Sequence, residues 1–179
     1  MSRLLVPLTL ILTPLVLSGQ APSDAPADPF RPVSFLIGRW QGTTEGQPGK
    51  GTVVREYSRA LNSKFIRVKN RSTYPPQPAN VKGEVHEDEG FISFDRSRKK
   101  LVLRQFHVEG FVNQYVEADG STTQKVVFTS EQIENIPAGF RARETYTVIG
   151  PDAFEEIFEL AEPGKAFETY SHARFTRIK

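Results

Sequence analysis

The chain has 179 residues, with 23 basic and 21 acidic side chains and a formal net charge of +2 at pH 7. So even a balance excludes capture of a polyanion by bulk charge, and nucleic acid is not an expected partner. The absence of cysteine excludes disulfides, thiolate metal sites and a cysteine-linked lipid anchor.

Arg3 precedes an apolar stretch, Leu4 to Leu17, which is broken by Pro7 and Pro14 and followed by Ser18 and Gly19. That order reads as an export signal over residues 1–19, sending the protein to the periplasm or out of the cell. The stretch is shorter than the roughly 20 residues that span a bilayer, so no stable membrane span is expected after cleavage. Residues 20–32, rich in Ala, Pro and Asp, bury too little apolar surface to order themselves and read as a tether. Residues 33–179 then form one domain of ordinary size.

Val33 to Ile37 suits a brief helical turn ahead of the first predicted strand, Ile37 to Thr44, which ends in the loop Gly46-Gln47-Pro48-Gly49-Lys50-Gly51. Thr52 to Leu61 follows, and Asn62-Ser63 turns it into Phe65 to Tyr74 before the stiff loop Pro75-Pro76-Gln77-Pro78. Gly83 to Phe94, Leu101 to His107 and Phe111 to Val116 come next, and Asp119-Gly120 is a strong hairpin signal. Thr123 to Ser130, Phe140 to Val148, Ala153 to Leu160 and Phe167 to Ile178 complete about ten strands. Short turns in meander order predict an all-β, antiparallel, up-and-down β-barrel. The 13 phenylalanines suit a sheet core. They are also enough to fill a small barrel solid, which leaves a structural or interaction domain as one alternative.

The strands open on Phe35-Leu36-Ile37-Gly38-Arg39-Trp40-Gln41-Gly42-Thr43. Gly38 permits close backbone approach, and Trp40 can plug one end of a barrel while its indole N–H seeks an acceptor. This motif resembles the first strand of the calycin superfamily of lipocalin-like barrels. Within it, the wording is most similar to the nitrobindin-like heme-binding barrels, which are related to fatty-acid-binding proteins. The resemblance implies a small-ligand-binding protein rather than an enzyme, with heme as cofactor and any activity dependent on it. By the same resemblance His172, on the last strand, is the metal ligand to the heme iron, although Ser171 stands where such chains carry a second histidine.

Similarity to fatty-acid-binding proteins implies the alternative, a carrier of a fatty-acid-like or other small hydrophobic or amphipathic molecule. Arg174 with Tyr170, helped by Arg143 or Tyr146, would meet an acidic head group there. Trp40 and Arg104 complete the candidate ligand-binding residues. Everything on the last strand turns on parity. Tyr170, His172 and Arg174 share one face, Ser171, Ala173 and Phe175 the other, and a core Phe175 would point His172 to solvent.

Two smaller constellations stand out. His107 beside Glu109 makes a possible acid–base pair. His86 and Asp88 share a strand face and can share a metal, which Glu87 cannot join, but two ligands need partners from elsewhere in the fold. The sequence carries no nucleophile elbow and no phosphate-cradling glycine loop followed by a helix.

Overall fold

A computed structural model describes residues 28–179. The predicted export signal lies outside the described residues, as does the tether up to residue 27. Among the described residues, ten antiparallel strands close into a barrel in strict up-and-down order. They are β1 (Gly38–Gly46), β2 (Gly49–Ala60), β3 (Phe65–Tyr74), β4 (Glu84–Asp95) and β5 (Lys100–His107), then β6 (Val112–Glu117), β7 (Lys125–Glu134), β8 (Arg141–Gly150), β9 (Ala153–Ala161) and β10 (Glu168–Arg177). The predicted fold class and strand order are what the chain adopts.

Closure comes from β1 pairing with both β2 and β10, with Trp40 opposite Arg55 on one side and Arg177 on the other. Alternation along each strand decides what lies inside. Val53, Arg55 and Tyr57 of β2 face inward, as do Ile66, Val68, Asn70 and Ser72 of β3. No helix among the described residues is long and apolar enough to cross a membrane.

One end is sealed by a short 3-10 helix, Arg31–Leu36, whose Val33 and Leu36 are buried together with the preceding Phe30. Ordered packing therefore begins before Val33, where the tether was expected to end. Trp40 sits under this helix and donates its indole N–H to the Leu36 carbonyl at 2.6 Å. Its ring meets Phe154 edge-on at 4.7 Å, and Phe154 stacks on Phe175 at 4.5 Å. The Arg177 guanidinium lies 4.1 Å above the Trp40 ring and donates to the Ile37 and Phe35 carbonyls. Gly38 is required here, because its φ is +133° and a Cβ would run into that guanidinium. The motif that opens the domain is thus the stopper of the barrel.

Candidate functional site

The other end is hollow. A cavity of about 490 Å³ opens between the β1–β2, β3–β4, β5–β6, β7–β8 and β9–β10 connections. The filled barrel is therefore corrected. The aromatic stack packs only the sealed half, and phenylalanines such as Phe106 spend their bulk on the outer surface.

The cavity has two unlike walls. Strands β2 to β6 line it with Arg55, Asn70, Ser72, Asp88, Gln105 and Asn113, while the side formed by β7 to β9 and their loops presents Ile133, Ile136, Phe140, Phe158 and Leu160, with Glu144 and Glu156 at its foot. At the floor, Arg55 Nη1 donates to Glu156 Oε1 at 2.7 Å and its Nε donates to Asn70 Oδ1 at 3.0 Å. Asn70 in turn donates to Asp88 Oδ2 at 2.8 Å. Burial opposes the Arg55 charge, but Glu156 outweighs it and the guanidinium is held more firmly protonated than usual. Burial also works against the Asp88 carboxylate, yet its contacts with His86 and the field of Arg55 keep it below the ordinary range. Glu144 is the odd one out. Burial, reinforced by the charge of Glu156, pushes its carboxyl up to about 8, and it accepts a hydrogen bond from Tyr146.

Near the mouth, His86 Nδ1 faces Glu109 Oε1 at 2.8 Å and His86 Nε2 faces His107 Nδ1 at 3.3 Å. Hydrogen bonding to Asp88 raises His86 to about 9, whereas burial lowers His107 to about 4. Three buried acceptor oxygens on this polar wall have no donor: Asp88 Oδ1, Gln105 Oε1 and Asn113 Oδ1. A buried polar atom without a partner costs roughly 1–3 kcal/mol, so these three oxygens are the candidate acceptors of the wall.

Glu144 gives the barrel a distinctive pH response. The native state keeps a proton that the unfolded carboxyl releases near its ordinary value of 4.5. The stabilisation is therefore complete below that value and is lost as the pH rises toward about 8. Urea unfolding at pH 5 and pH 9 is expected to differ by on the order of 2–4 kcal/mol more in the wild type than in Glu144→Gln. Parallel pH profiles for the two proteins would show that Glu144 is ionised in the native barrel.

Most of the sequence-predicted ligand residues lie away from the cavity. Phe175 is the core residue of β10, so His172 stands on the outer wall, where its Nε2 meets Glu155 at 3.2 Å. Arg174 follows the same parity and is exposed. Arg104 is exposed and bonds Gln114, and Arg143 pairs with Glu159 beneath the Phe167 ring. Trp40 belongs to the stopper. Tyr146 is buried between Phe128 and Phe154 with its hydroxyl on Glu144. Only Tyr170 lines the cavity, edge-on to Phe158. The reason is a bulge between Thr169 and Ser171, which puts both Tyr170 and Ser171 at the cavity and breaks simple alternation. A heme held from β10 does not fit this arrangement, because the only histidine there points away from the interior.

No protein-family profile and no curated protein matches the chain. Among solved structures it is similar to Rv2717c from M. tuberculosis, at 16% identity and a TM-score of 0.65, over 86% of this chain and 99% of that one. This is a likeness of fold. A de novo designed fluorescence-activating β-barrel matches at 14% identity and a TM-score of 0.43, over 80% of this chain and 94% of the design. EF1p2_mFAP2b, solved bound to DFHBI, matches at 10% identity and a TM-score of 0.45, over 84% of this chain and 100% of that one.

Proposed function

We propose that the barrel binds one small amphipathic molecule, apolar body against β7 to β9 and a hydrogen-bond-donating, non-anionic head against β2 to β6. The observation that carries this reading is a cavity lined on one side by Asp88, Gln105 and Asn113, each with an unpaired buried acceptor oxygen, and on the other by apolar side chains above the Glu144 and Glu156 carboxyls. A buried polar group that the protein leaves unpaired selects a ligand able to pair it. An acidic head group is disfavoured. The one arginine at the floor is committed to Glu156 and Asn70, and Asp88 adds a further carboxylate. The calycin-like opening motif supports the general reading of a ligand-holding barrel, and the apolar leader supports a place of action outside the cytoplasm.

The neutral fluorophore N-phenyl-1-naphthylamine tests the proposal, since it pairs an apolar body with one N–H donor. Its emission is expected to rise saturably with the full chain. Dodecylamine and dodecanol should displace it at concentrations at least about tenfold below dodecanoate, the scale of one well-placed hydrogen-bonded head group. Gln105→Leu should erase much of that preference. Saturable binding with dodecanoate as the best competitor would overturn the head-group assignment, and no binding of any probe would overturn the carrier itself.

A further inference from the structure

His86 and Asp88 share the inward face of β4, His107 ends β5, and Glu109 lies in the turn that leads to β6. That turn is fixed by Gly110 N–H donating to the His107 carbonyl at 2.8 Å and Val108 N–H donating to the Glu87 carbonyl at 2.9 Å. The His107 ring stacks on Phe111 at 4.0 Å, which holds its plane. One donor atom from each of His86, His107 and Glu109 falls within a 4.8 Å cluster. Asp88 Oδ2 adds a carboxylate oxygen 3.6 Å from His86 Nε2.

We propose that this cluster is a binding site for a divalent transition-metal ion, with His86, His107 and Glu109 as ligands and Asp88 as the buried carboxylate beside them. Three observations support it. First, His86 Nε2 and His107 Nδ1 face each other at 3.3 Å, which is close to the edge of a tetrahedron with metal–nitrogen bonds of about 2.0–2.1 Å. Glu109, 2.8 Å from the other His86 nitrogen, would reach the same ion by rotation of its exposed side chain. Second, Asp88 is 9% exposed and its Oδ1 has no donor, a vacancy that positive charge in the cluster would answer. Third, mixed imidazole and carboxylate donors suit zinc, cobalt or nickel, whereas magnesium and calcium prefer oxygen alone. The cluster lines the cavity, so an open coordination position would face the bound molecule's space. Metal binding does not require the organic ligand proposed above; the ion would answer the Asp88 oxygen and leave those of Gln105 and Asn113 to that ligand.

The chain has three histidines, and the third, His172, lies on the outer wall as an internal control. The full chain is titrated with Zn²⁺ by calorimetry and with Co²⁺ by its visible d–d absorption. One ion per chain is expected, with His86→Ala, His107→Ala and Glu109→Gln each weakening affinity more than about tenfold and His172→Ala leaving it unchanged. Glu109 is exposed on its turn, so Glu109→Gln tests the site without risk to the fold. Trp40 fluorescence from the far end of the barrel verifies folding of the histidine variants. Absence of saturable one-to-one binding would overturn the site. So would affinity within about twofold of wild type in Glu109→Gln and His107→Ala, or equal loss in His172→Ala.

Discussion

Arg55→Met is expected to lower the unfolding free energy by about 3–5 kcal/mol, read from urea denaturation near neutral pH. Arg55 and Glu156 are 7% and 6% exposed, so removing the cation leaves a buried carboxylate without its counter-charge. The damage spreads, because Asn70 loses the donor to its oxygen and Asn70 is the link to Asp88. The double variant Arg55→Met/Glu156→Leu is expected to recover to within about 1–2 kcal/mol of wild type, since replacing a whole buried pair with apolar volume is often neutral. If the double variant stays as unstable as the single, Arg55 acts through packing on the Phe175 ring, 4.9 Å below its guanidinium, and not through charge. The pair then matters to function in a second way. It makes the floor of the cavity polar without leaving a free cation to attract acids.

That pair also marks the boundary of what the sequence revealed. The strands were legible because turns such as Asn62-Ser63 and Asp119-Gly120 punctuate runs of β-branched and aromatic residues, and the meander followed from their short spacing. The stopper was legible because a Gly-x-Trp step supplies both a close approach and a large apolar plug. On β5, alternation correctly separated Arg104 and Phe106 from Leu103, Gln105 and His107. On β10 it held from Ser171 to Phe175, so the core Phe175 turns His172 outward, and it failed only at Tyr170, which a bulge re-aims into the cavity. Arg55 lies between Val53 and Tyr57 on the inward face of β2 and was not among the expected ligand residues. The signal was present: a charge at period two within an apolar face must have a buried partner. The partner itself, on β9, was not legible, because contacts between residues 101 positions apart depend on which walls a closed barrel sets opposite each other. The mouth cluster was half-legible for the same reason. His86 and Asp88 shared a face on paper, but only strand pairing of β4 with β5, with Asp88 opposite His107, brings the second imidazole alongside.

Trp40→Ala is expected to cost about 3–5 kcal/mol, the range for deleting a large buried aromatic side chain. Trp40 is 1% exposed and joins three structures that otherwise have little in common: the 3-10 helix through Leu36, the aromatic stack through Phe154, and β10 through Arg177. Trp40→Phe separates these contributions. It keeps an aromatic ring for Phe154 and Arg177 but leaves the Leu36 carbonyl without its donor, so a smaller loss of about 1–2 kcal/mol is expected. Because Trp40 is the single tryptophan, circular dichroism rather than fluorescence must follow these unfolding curves. Neither change touches the cavity lining. Probe and metal affinities measured below the unfolding transition should therefore match wild type, even where stability has fallen by several kcal/mol. Weakened binding at full folded population would mean that the stopper and the open end are energetically coupled, with Arg55, stacked on the same phenylalanine pair and hydrogen-bonded toward Asp88, as the physical route between them.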